Sequence, residues 1–205
     1  VITTIESVLT DNNFNTTDLD IGKDQVINTG KVIITLTTTQ SNKNKTNDNM
    51  TVLDLGNCEK DLRDYYNISE DKVIYIKKMD VDQKGMKIPK IEYNVYSKLN
   101  GTNLIKLNIS VCKNSSIFLN IPIEITGNLD ELNTSSDYFN DRCYSSKSDS
   151  GTDILLQDRQ KEFVENNKTV CQDDCLFVDY DYSISKANCS CDAKDSSNEY
   201  VNMYI

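Results

Sequence analysis

Short runs of apolar and β-branched residues recur along this chain, separated by polar turns rather than long helical stretches. Residues 31–39 (KVIITLTTT) have the composition of a strand. Further strand signals fall at 50–55, 72–79, 90–98, 103–112 and 116–125. In the run at 72–79, Val73, Tyr75 and Lys77 alternate with Ile74, Ile76 and Lys78. Leu104, Ile105, Leu107, Ile109 and Val111 keep period two with one slip. Asn100-Gly101 lies between two such runs, and both residues tolerate positive φ, so a tight hairpin is expected there. Helical spacing occurs at 57–66, with Asn57 as N-cap, Glu59 and Asp61 in the first turn, and Cys58, Leu62, Tyr65 and Tyr66 on one face. A second helix is expected from Asp153 to about Asn166, with Leu156 and Phe163 inward and Asn167 closing it. Residues 176–182 and 186–191 then read as a hairpin. Both ends are strand-prone: 1–9 (VITTIESVL), and 200–205 (YVNMYI) with Val201, Met203 and Ile205 on one face.

This pattern predicts a mainly β fold. A Thr-rich N-terminal segment with strands, 1–49, leads into an antiparallel β-sandwich-like domain at 50–126. Gly127 marks the expected boundary to a small disulfide-rich α+β domain, 127–205, with one helix and a hairpin. A Cys58–Cys112 bridge would staple the first helix to the fifth strand, since no other cysteine precedes residue 143.

Composition narrows the function. Leu, Ile, Val and Phe supply 53 of 205 residues, above the roughly 20% at which disorder becomes the expectation. The chain carries a formal charge of −10, which argues against nucleic acid and against an anionic membrane surface, because both recruit clustered Lys and Arg. It contains no histidine, which removes Ser-His-Asp and Cys-His catalysis and His-ligated zinc. No apolar run approaches the roughly 18 residues of a membrane span, so direct membrane insertion by this segment is not expected. The start at Val1, without a basic stretch and apolar core, reads as a processed or excised segment.

Two features point to an oxidising, extracellular or cell-surface setting. Asn-x-Ser/Thr acceptors occur at Asn15, Asn44, Asn49, Asn67, Asn100, Asn108, Asn114, Asn133, Asn167 and Asn188. Chance placement of the chain's Asn, Ser and Thr would give about 4, so a surface bearing covalent N-glycans is expected. The cysteines are Cys58, Cys112, Cys143, Cys171, Cys175, Cys189 and Cys191, five of them after residue 142. Cys171-x3-Cys175 and Cys189-x-Cys191 miss the usual zinc spacing, and disulfides are the expectation. Seven is odd, and Cys191, last in line, is the thiol left for a partner beyond Ile205.

Candidate chemistry is thin. Asp149-Ser150-Gly151-Thr152 matches the aspartic-protease string once, after a polar stretch, where a turn and helix start are expected. Asp80-x-Asp82-x-Lys84-Gly85 imitates an EF-hand opening, but Lys84 and Ile91 stand where ligands are required. Asp173, Asp174, Asp179 and Asp181 around Cys175 could bind calcium weakly, or simply line the solvated face of a hairpin. No catalytic residue, metal site or cofactor is expected.

Cysteine spacing adds two resemblances. Cys189-Ser190-Cys191 resembles the close cysteine pair of an EGF-like module; that likeness implies Cys143–Cys175 and Cys171–Cys189 bridges and leaves Cys191 over. The segments LGNCE (55–59), GMKIPKIEY (85–93), LNGTNLIKLNISVCK (99–113), YFNDRCY (138–144), SGTD (150–153) and CSC (189–191) resemble an uncharacterised cysteine-rich ectodomain module of large surface proteins of single-celled eukaryotes. This resemblance implies a membrane-proximal position. The expectation is a non-enzymatic structural module, a filament or coat subunit joined through its terminal strands to neighbouring copies of itself or to other surface proteins. The alternative is an adhesin or receptor-type ectodomain binding a protein or glycan, which a groove lined by tyrosines would favour.

Overall fold

The computed structural model describes residues 7–11, 14–44, 50–99, 101–148, 150–165 and 168–195. In chain order they form α1 (Thr17–Asp20), β1 (Gln25–Asn28), β2 (Val32–Thr38), α2 (Thr39–Lys43), β3 (Val52–Asp54), α3 (Asn57–Tyr66), β4 (Ile74–Val81), β5 (Lys90–Ser97), β6 (Ile105–Lys106), β7 (Ser116–Pro122), α4 (Asp137–Asn140), α5 (Leu156–Glu165), β8 (Cys175–Asp181) and β9 (Lys186–Asp192). Short 3-10 turns lie at Ile109–Cys112 and Leu129–Glu131. The protein is mainly β, with two antiparallel sheets, ordered β1-β2-β4-β5-β6 and β3-β7-β9-β8.

Alternation explains the second sheet directly. Ile117, Leu119 and Ile121 of β7 enter the core, while Phe118 and Asn120 between them stay half-exposed. On β9, Ala187, Cys189 and Cys191 do the same. These residues join Leu53, Leu62, Ile74, Ile76 and Val95 in one apolar cluster shared by both sheets and α3. The second sheet takes β3 and β7 from before Gly127 and β8 and β9 from after it. Likewise β1 and β2, from the Thr-rich 1–49 stretch, pair onto β4. Hydrogen-bonded ladders therefore run across both boundaries expected from composition.

The helix at 57–66 forms as predicted, but Gly56 occupies the N-cap and Asn67 closes the C-terminus in the left-handed region, φ 53°. Gly56 is required twice over. Its φ is 53°, and a Cβ there would stand 3.1 Å from the Ser116 carbonyl and 3.2 Å from the Phe118 ring. Cys58, Leu62 and Arg63 make the buried face, while Tyr65 is exposed rather than inward. The strand expected over 103–112 is reduced to β6, because Asn108 caps a 3-10 turn by accepting from the Ser110 N–H at 2.9 Å. Residues 7–9 are helical rather than extended, and 1–6, Asn100 and 200–205 lie outside the described residues.

β4 departs most from its sequence pattern. It is central in a sheet covered on both faces, and all eight of its residues are buried. Ile74 and Ile76 face the shared core, whereas Tyr75 meets a second cluster with Leu9, Leu19, Leu36, Tyr96 and Leu104. Lys77 and Lys78 are consequently 1% exposed. Lys78 Nζ donates to Asp80 Oδ2 at 2.7 Å and to the Thr51 carbonyl at 2.7 Å. The Thr51 hydroxyl links Lys78 to the other oxygen of Asp80. Thr51 immediately precedes β3, so its hydrogen bonds to this ion pair on β4 tie the two sheets together.

The helix expected from Asp153 begins at Leu156 instead; Asp153 forms a lone β-bridge with Lys147. Its anchor is Arg159, 1% exposed. The guanidinium lies 5.2 Å and 5.5 Å from the Tyr138 and Tyr144 ring centroids and donates to the carbonyls of Tyr144 and Asp141. Gln160 adds a bond to the Phe139 carbonyl, and Phe139 packs edge-on against Phe163.

Breaking a buried pair strands the surviving charge. Asp80→Ala is expected to lower unfolding free energy by about 3–5 kcal/mol, and the double change Lys78→Met with Asp80→Leu to cost far less. Urea denaturation followed by circular dichroism measures both. A loss below about 1 kcal/mol for Asp80→Ala would mean that the pair behaves as a solvated one.

Candidate glycan, disulfide and assembly surfaces

Three disulfides organise the described residues. Cys58 pairs with Cys112 as expected, but the bridge joins α3 to the 3-10 turn before β7 rather than to a strand, with both residues at most 1% exposed. Closing 54 residues, it removes about 4 kcal/mol of unfolded-chain entropy on the loop-closure model. Cys171–Cys189 forms as the EGF-like resemblance implies. The third bridge corrects two expectations: Cys175 pairs with Cys191, not Cys143, and Cys191 seeks no external partner. The reason is strand geometry. Cys189 and Cys191 sit two apart on β9 and both face the core, and antiparallel pairing sets Cys175, first residue of β8, directly opposite Cys191. Cys143 is the free cysteine instead, exposed on the loop after α4. Its N–H donates to Asp141 Oδ1 at 2.8 Å, and Arg159 holds the carbonyls on either side. Three disulfides fit an oxidising, secreted or extracellular environment. No helix among the described residues is long and apolar enough to cross a membrane.

Seven glycan acceptors can be placed. Asn15, Asn44, Asn67, Asn108 and Asn114 are exposed, Asn133 and Asn188 are half-buried, and Asn49, Asn100 and Asn167 lie outside the described residues. In Asn15, Asn108 and Asn133 the side-chain oxygen accepts the N–H of the acceptor motif's Thr or Ser, at 2.9, 2.9 and 3.0 Å. These turns tie down Oδ1, and the amide nitrogen, the atom a glycan would occupy, takes no part in the turn's hydrogen bond. Asn67, Asn108 and Asn114 gather around α3: Asn67 caps it, the Asn108 N–H donates to the Tyr66 hydroxyl at 2.9 Å, and Asn114 shares a shallow cavity with Tyr65. Asn188 differs. It sits within β9, flanked by β7 and β8, and its Oδ1 is buried without a partner.

Each sheet has two edges, and they are guarded unequally. β3 is covered by α2, whose Asn42 side chain donates to the Leu53 carbonyl. β6 is two residues long. β8 carries Asp179 and Asp181 and a register shift between Phe177 and Asp179, two features that discourage strand addition. Among the described residues β1 has no such guard: Gln25-Val26-Ile27-Asn28 is uncharged, with Val26 51% and Ile27 42% exposed. The sequence did not flag β1, because four residues with an apolar pair at the centre lack the run that marks a strand.

The cavities are small, with linings of mixed polar and apolar groups. One of about 290 Å³ lies between β5 and the β8–β9 ladder, bordered by Tyr93, Lys90, Asp173, Cys175, Cys191 and Lys194. Burial pushes the Tyr93 hydroxyl up to about 12. Another, also about 290 Å³, surrounds the Glu59–Arg63 ion pair, 2.9 Å apart and 9–18% exposed. Tyr93 and Tyr65 line separate cavities rather than a common groove. Of the candidate acids, Asp80 is held by Lys78, Asp174 pairs with Lys194, which holds its carboxyl below the usual range, and Asp181 is lowered by the Ser183 hydroxyl. Asp149 lies outside the described residues. Among the described residues, no three carboxylates or thiols converge to hold a metal ion. No family model, curated protein or solved structure matches the chain.

Peptide mapping after enzymatic deglycosylation in heavy-oxygen water should find Asn15, Asn67, Asn108 and Asn114 converted to labelled Asp, with Asn188 unmodified. Full occupancy at Asn188 would mean that its half-buried side chain, on the face of β9 opposite the core, is accessible enough to be modified.

Proposed function

We propose that the chain is a non-enzymatic structural module of a secreted or cell-surface glycoprotein, a coat or filament subunit that meets neighbouring copies through strand edges. The observation that carries this reading is the combination of a disulfide-stapled core with an edge strand, β1, that is uncharged and, among the described residues, uncovered. Exposed acceptors around α3 support it, since glycans there would keep one region of the surface hydrated while β1 bears none of the acceptors.

Strand addition at β1 has a defined geometry. A two-fold axis normal to the sheet keeps like faces together, so each residue pairs with one of the same parity. Ile27 then lies opposite Ile27 of a second copy and Val26 opposite Asn28, or Val26 lies opposite Val26 and Gln25 opposite Ile27. The contact is only four residues long and suits the high local concentration of a coat. The terminal segments, 1–6 and 200–205, are the other proposed joining strands.

Light scattering on the secreted, non-reduced chain tests this. Assemblies that dissociate on Val26→Lys with Ile27→Lys would assign the contact to β1. Dissociation only when residues 1–6 and 200–205 are removed would assign it to the terminal segments. A monomer at all concentrations in every form overturns the reading.

A further inference from the structure

We infer that the Cys175–Cys191 disulfide is a thiol-exchange site, the one bridge of the three that an external thiol opens while the protein stays folded. Five of the six bridged cysteines are buried at 0–5% exposure; Cys175 alone is half-exposed. Cys175 and Cys191 both line the cavity of about 290 Å³ beside β5, which gives a small thiol a route to the bond. Cys175 is also the first residue of the edge strand β8, so no further strand lies over it in the sheet.

The exchange needs no oxidant. An incoming thiolate forms a bond to Cys175 Sγ as the Cys175–Cys191 bond breaks, and the electron pair leaves on Cys191 Sγ. The products are a mixed disulfide on Cys175 and a Cys191 thiolate. Lys90 and Lys194 line the same cavity, each paired there with a carboxylate, Glu92 and Asp174. The fold survives, because the β8–β9 ladder continues to Asp181 and Cys171–Cys189 still ties the start of the hairpin to β9.

Charge selects the thiol. The cavity carries five carboxylates, with Asp173 and Asp192 close in sequence to the two cysteines, against the two lysines. A cationic thiol is therefore favoured over an anionic one, and salt narrows the difference. This inference is independent of the assembly reading, since it concerns a bond within one chain.

The test uses the full native chain with Cys143 first blocked by iodoacetamide. Cysteamine and 3-mercaptopropionate are supplied at equal thiolate concentration, and acid-quenched samples are alkylated and peptide-mapped. The expected result is cysteamine on Cys175 and alkylated Cys191, before either other bridge opens and with circular dichroism unchanged. Cysteamine should react about tenfold faster than the anionic thiol at low salt, and Asp173→Asn with Asp192→Asn should shrink that ratio. Opening of Cys58–Cys112 or Cys171–Cys189 first, or of all three together with loss of structure, overturns the inference. Equal rates for the two thiols overturn the charge selection.

Discussion

Two cysteines separated by a single residue on β9 set the constraint on which the C-terminal half depends. A strand repeats every two residues, so Cys189 and Cys191 must project from the same face, and here that face is the core. Each then bridges to the segment that enters β8, Cys189 to Cys171 and Cys191 to Cys175. The β8–β9 hairpin cannot slip by one residue without turning both sulfurs outward. Because β9 also pairs along its whole length with β7, the same two bridges fix the register of the second sheet against the shared apolar cluster.

Much of this frame is visible in the amino-acid sequence, for reasons that differ from element to element. β7 announces itself because one of its faces is apolar and the other is not. α3 does so through the spacing of Cys58 and Leu62, though its N-cap is Gly56 rather than Asn57, and the Cys58–Cys112 bridge is suggested only by the absence of other cysteines before residue 143. The correct partner of Cys191 was hidden because the EGF-like spacing suggests a bridge between distant segments, whereas the ladder provides a nearer partner directly across it. Domain limits drawn from composition at 49 and 127 fail to anticipate that β2 joins β4 and β7 joins β9, since pairing between distant strands leaves no local trace. Of the candidate surfaces, the acceptor asparagines are readable as motifs, but their exposure is not: Asn188 and Asn108 carry the same signal, yet one lies between two strands and the other in an open turn.

Buried cations mark the other limit of sequence reading. A lysine pair in a strand normally indicates a wet face, yet Lys77 and Lys78 are both covered, because β4 is central and packed on two sides. Lys78 is tolerable there only because Asp80 and Thr51 surround its ammonium. Arg159 does the corresponding work in the helical part, where its planar group meets two aromatic rings and two carbonyls at once. In both places a polar network stands where a chain richer in Leu and Phe would place more core. Such networks tie specific segments together, Thr51 to β4 and the Tyr138–Tyr144 loop to α5, and so contribute geometry more than net stability.

Unequal treatment of the sheet edges bears on how such a module would be used. β8 combines two aspartates with a bulge, and β3 lies beneath α2, so the fold contains the usual defences against uncontrolled strand addition. β1 lacks them, although a single Lys in place of Val26 or Ile27 would suffice. An undefended edge carries an aggregation risk for a protein that must stay dispersed. Under the proposed structural role the same edge is a contact, and its brevity keeps that contact weak and reversible until many copies are held together. The charged, bulged β8 edge then remains open to solvent, and Cys175 at its start stays half-exposed beside the cavity it lines with Cys191. Assembly at one edge and disulfide exchange at another are thus compatible within one chain, because they occupy the outer strands of different sheets.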